Sequence, residues 1–118
     1  MDINILRDND IDVDSGVDIL GDIDIYNDIL NDFFEESEDR LLKLNEYKNN
    51  GDLENYAILV HAIKGDSKYL GFNKLADMAL EHQLKSQDNN IDYVNNNYDD
   101  LIFEFNNVIS VIKRYLDS

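Results

Sequence analysis

His61, Lys64, Gly65 and Lys68 fall within one narrow sector of a helix when successive residues turn by about 100°. The segment that carries them reads His61-Ala62-Ile63-Lys64-Gly65-Asp66-Ser67-Lys68-Tyr69-Leu70-Gly71. Tyr56, Leu59, Ile63, Ser67 and Leu70 point the other way, the direction a helix turns toward its core, so His61 looks outward. A histidine on a solvated face offers a nucleophilic ring nitrogen. Lys64, one turn on, supplies positive charge for a phosphoryl group at that nitrogen. Gly65 costs about 1 kcal/mol relative to Ala inside a helix, and beside the histidine it clears room for another protein.

This segment resembles the signature of the histidine-containing phosphotransfer (HPt) domain, His-x-(Leu/Ile)-Lys-Gly-small-small-x-x-(Leu/Val)-Gly. The resemblance runs on through Phe72-Asn73-Lys74-Leu75-Ala76-Asp77-Met78-Ala79-Leu80 and back through Gly51-Asp52-Leu53 to Phe33-Phe34-Glu35-Glu36, with the flanks only pattern-like. It implies a four-helix bundle whose His61 accepts a phosphoryl group from a receiver-domain phospho-aspartate and passes it to another receiver. The partners implied are response-regulator receiver domains and a hybrid histidine kinase. The Mg²⁺ would sit on the receiver, and this chain would need no cofactor and have no catalytic turnover of its own. Gly65 and Lys68 would face the docked partner.

Gln83 is a second carry-over. In some members a Gln or Glu on the following helix bonds the other ring nitrogen of the histidine, which would leave the reactive nitrogen unprotonated. Two residues depart from the family. His82 stands where Leu is usual and is expected to turn into the bundle as a core histidine. Asp66 replaces a small residue; it is expected to bond Lys68 or a backbone group, and its charge would oppose a phosphoryl group nearby. Two alternatives stay open: a receiver-binding adaptor without chemistry, and a phospho-accepting input domain of a chemotaxis-type histidine kinase.

The elements that must position these residues are helices. There is no proline among 118 residues, and apolar residues recur at steps of three and four. Val94, Tyr98, Leu101, Phe105, Val108, Ile112 and Tyr115 mark one long apolar face; Ile23, Tyr26, Leu30, Phe33, Ser37, Leu41 and Leu44 mark another. Asn49-Asn50-Gly51-Asp52 supplies a helix stop and the next N-cap, and the helix bearing His61 is predicted from Leu53 to Leu70. Gly71 ends it. The next helix has Leu75, Met78, Ala79 and His82 inside, and after a polar turn Asn90 caps the last. Short connections make neighbours antiparallel, so the fold class is all-α, an up-and-down four-helix bundle over residues 15–118 with a short N-terminal helix or arm.

Residues 1–14 show no helix period, only Ile and Val alternating with Asp, and read as a flexible acidic arm, with a docking helix starting near Ser15 or Gly16. The Asp10-x-Asp12-x-Asp14 string resembles a calcium loop, but Gly at the sixth and Glu at the twelfth positions are missing. A formal net charge of -16 argues against nucleic acid, although residues 61–85 are slightly basic, a fit for an acidic receiver pocket. The absence of cysteine excludes disulfides and thiolate metal sites, and two histidines make no metal centre. No apolar run spans a membrane and the acidic start lacks a secretory signal's basic region, so a cytoplasmic, membrane-free, monomeric protein is expected.

Overall fold

The computed structural model describes all of residues 1–118. Its helices are α1 (Asn4–Arg7), α2 (Val13–Leu20), α3 (Ile23–Asn49), α4 (Leu53–Leu70), α5 (Asn73–Gln87) and α6 (Ile91–Leu116). Side chains start four of them: Asp12, Asp22, Asp52 and Asn90 each accept from the backbone N–H three residues on, satisfying a donor that the first helical turn leaves free.

Helices α3 to α6 form the bundle, with α4 and α6 each packed against both α3 and α5. Short connections set neighbours antiparallel. The opposed run of α3 and α6 shows where the Tyr115 hydroxyl donates to Asn27, near one end, while the Lys48 ammonium lies over the Tyr98 ring near the other. The apolar stripes read from the sequence meet inside: Leu30, Phe33, Tyr56, Val60, Ile63, Leu75, Ala79, Leu101, Phe105 and Ile112 are all buried.

Residues 1–14 correct the expectation of a flexible arm. Leu6 and Val13 are 0% exposed and Ile11 is 5% exposed, all within the bundle's own core, so no boundary falls between residues 14 and 15. The alternation hid this. Helix α1 is a single turn and the chain reverses at Asp10 with φ 63°, so the buried residues lie too close together for a helical period to show.

This N-terminal strap closes over the end of α4. The Asp12 amide donates to the Gly71 carbonyl at 2.9 Å, and the buried Tyr26 hydroxyl donates to the Leu70 carbonyl at 2.7 Å. Gly71 ends α4 in the left-handed region, φ 88°, where a side chain is strained. A Cβ there would also collide with the Asp12 backbone. The final glycine of the motif is thus required by helix termination and by the strap.

Candidate functional site

Midway along α4, opposite the face that buries Tyr56, Val60, Ile63 and Ser67, His61 stands exposed. Its Nδ1 lies 3.0 Å from Oε1 of Gln83 on α5. An amide oxygen only accepts, so Nδ1 carries a proton, and in the neutral ring the lone pair is then on Nε2. A lone pair on an exposed imidazole nitrogen can act as a nucleophile.

Lys64 is half-buried and Lys68 exposed; both line a shallow depression with Asn73, Ala76, Asp77 and Leu80, between α4 and α5. A Cβ placed on Gly65 would meet nothing within 4 Å. Packing inside the molecule therefore does not require glycine here, and the open surface next to His61 follows from its absence of side chain. His61, Lys64, Gly65, Lys68 and Gln83 share the α4–α5 face. Lys85, counted with the basic window, turns away, its ammonium over the Tyr93 ring at 5.6 Å.

Three exposed apolar residues border that face, unremarked in the sequence: Ile58 at 63%, Leu80 at 38% and Leu84 at 46%. Leu80 and Leu84 are one helical turn apart while Ala79 and His82 point inward. That spacing, apolar on the polar side of α5, was the available signal.

Asp66 bonds neither Lys68 nor a backbone group. Its carboxylate meets the Arg40 guanidinium of α3 at 2.8 Å, and Glu36 reaches the same guanidinium at 3.4 Å. Arg40 is largely buried, only 14% of its side chain exposed, and its guanidinium carbon lies 5.6 Å from the Phe33 ring centroid. The charge of Asp66 is thus paired at the α3 seam, so its opposition to a phosphoryl group at His61 is reduced. The partner was hidden because it lies 26 residues upstream.

His82 is 2% exposed, as a core histidine should be. Tyr56 of α4 lies 2.9 Å from its Nδ1. Burial first of all lowers its pKa, against raising contributions from the Asn97 backbone, Glu81 and Asp100. No cluster of His, Cys, Asp and Glu is arranged to hold a metal ion, and no helix is long and apolar enough to cross a membrane.

A family model described as Hpt domain matches residues 28–110, well over half of the chain. No curated protein and no solved structure gives a significant match.

Proposed function

The chain belongs to the Hpt domain family, and from that premise we propose that it is a phosphorelay carrier with His61 as the phospho-accepting residue. The observation that carries the reading is the exposed imidazole with Nδ1 held by Gln83 at 3.0 Å. In-line attack by Nε2 on the phosphorus of a receiver's aspartyl phosphate forms the P–N bond. The P–O bond to the aspartate breaks and its electron pair leaves with the carboxylate; the reverse step loads a second receiver.

Positioning and neutralisation of spread-out charge supply most of what such a transfer needs. Lys64 offsets the phosphoryl charge, and Gly65, with Lys68 beside it, leaves the surface flat enough for the partner to approach. The receiver brings the aspartate and its Mg²⁺. This chain contributes no nucleotide site and no turnover, and works as a monomer in the cytoplasm. Of the alternatives, an adaptor would gain nothing from a fixed His61 tautomer, and a kinase input domain would be loaded by an ATP-binding module instead of a receiver.

The test is intact-mass measurement after mixing the protein with phosphorylated receiver domains and Mg²⁺, beside His61→Ala. One acid-labile phosphoryl adduct, missing in the variant, is expected. An adduct that persists in His61→Ala would overturn the assignment.

A further inference from the structure

Behind the His61 face lies a buried polar pair that the proposed transfer leaves unused. The Tyr56 hydroxyl on α4 meets Nδ1 of His82 on α5 at 2.9 Å, and Tyr56 is 0% exposed. Burial raises the phenol's pKa, so the hydroxyl stays protonated. It has no other hydrogen-bond partner and donates to Nδ1, so the proton of the neutral His82 ring sits on Nε2. The Tyr93 ring of α6 meets the imidazole edge-on at 5.4 Å.

Gln83 is the next residue. The pairs Tyr56–His82 and His61–Gln83 therefore tie the same two helices, one bond on the inner side of α5 and one on the outer. Ser86 fixes the backbone between them, its hydroxyl reaching the His82 carbonyl at 2.7 Å and the Gln83 carbonyl at 3.0 Å. A 20° turn of α5 about its axis would move a side chain at a radius of about 5–6 Å by roughly 2 Å. That displacement takes a 3.0 Å contact out of hydrogen-bond range.

We propose that His82 is a positioning residue for phosphoryl acceptance: its bond with Tyr56 sets the rotation of α5 and so holds Gln83 on Nδ1 of His61. The role rests on the reading of His61 as acceptor. A histidine that only filled space would be replaced without loss by an apolar side chain, since a buried polar pair adds little net stability over apolar packing of the same shape.

The test combines ¹⁵N NMR of the histidine rings with labelling by phosphoramidate, a small donor that needs no docking surface. The wild type is expected to show His61 as one tautomer with the proton on Nδ1, and Gln83→Ala to give a mixture. Tyr56→Phe and His82→Leu should shift His61 the same way and slow labelling roughly tenfold, the lower end of what a lost outer partner costs a metal-ligating histidine. His82→Asn, whose amide oxygen falls near the position of Nδ1, should restore the single tautomer. If His82→Leu does not fold, Tyr56→Phe, which keeps the ring, decides.

Wild-type His61 signals in folded Tyr56→Phe and His82→Leu, with Gln83→Ala shifted, would overturn the positioning role and leave the acceptor reading intact. A wild-type chain that never labels while its His61 tautomer is fixed would instead overturn the acceptor reading, and this role with it.

Discussion

The two histidines of this chain are held by the same pair of helices in opposite surroundings. His61 is exposed and its Nδ1–H donates to Gln83 Oε1; His82 is buried and accepts from the Tyr56 hydroxyl at the same ring atom. Identical side chains thus end in opposite tautomers. The outer one keeps a free lone pair facing solvent at no great cost in folding energy. The inner one uses its lone pair inside the bundle, where an unmade bond would be costly. The division between the rings is one of burial and of bonding partner.

The sharpest way to break this division is to remove each ring. His61→Ala should abolish phosphoryl acceptance altogether while changing unfolding free energy by less than about 0.5 kcal/mol, as surface substitutions usually do. Urea titration together with a labelling assay checks both halves. A large loss of stability would mean that the outer ring is structural after all.

Tyr56→Phe probes the inner ring. It leaves Nδ1 of His82 buried without a donor, and a destabilisation of about 1–3 kcal/mol is expected in the same titration. A neutral result would show that the pair contributes nothing to folding.

The pH dependence follows from the burial that lowers the His82 pKa. The unfolded chain binds its proton at about pH 6.5 and the folded chain only at lower pH. The contribution of the neutral ring is therefore fully present above about pH 6.5 and is lost as pH falls through the folded value. The many carboxylates titrate as well, so the comparison is with His82→Leu. Between about pH 7.5 and about pH 5 the wild type should lose stability relative to that variant, measured as the difference in denaturation midpoints.

The smallest effect belongs to Gly65. Because a Cβ there meets nothing, Gly65→Ala should stabilise the bundle by up to about 1 kcal/mol and slow transfer from a receiver while leaving labelling by phosphoramidate unchanged. Equal transfer rates would remove the docking role of the glycine.

The placement of much of the candidate site was legible because it is local. His61, Lys64, Gly65 and Lys68 lie within two turns of one helix, and the predicted span Leu53 to Leu70 coincides with α4. Caps such as Asp52 and Asn90 announce themselves by residue type. The rest depends on contacts between distant residues. Arg40 with Asp66 and Tyr56 with His82 are each 26 residues apart, and neither periodicity nor composition encodes which pairs meet across a bundle. The strap was misread for a related reason. Its acidic residues point outward and dominate the composition, whereas Leu6, Ile11 and Val13 are buried by tertiary packing alone.

The central claim, that the open Nε2 of His61 is the phosphoryl acceptor, is tested most directly by incubating the protein with phosphoramidate and reading ³¹P–¹⁵N coupling in ¹⁵N-histidine-labelled material. One phosphorylated ring, bonded at Nε2 of His61, with His82 unmodified, is the result the account requires. Phosphorylation at Nδ1, at His82, or at neither ring would contradict it.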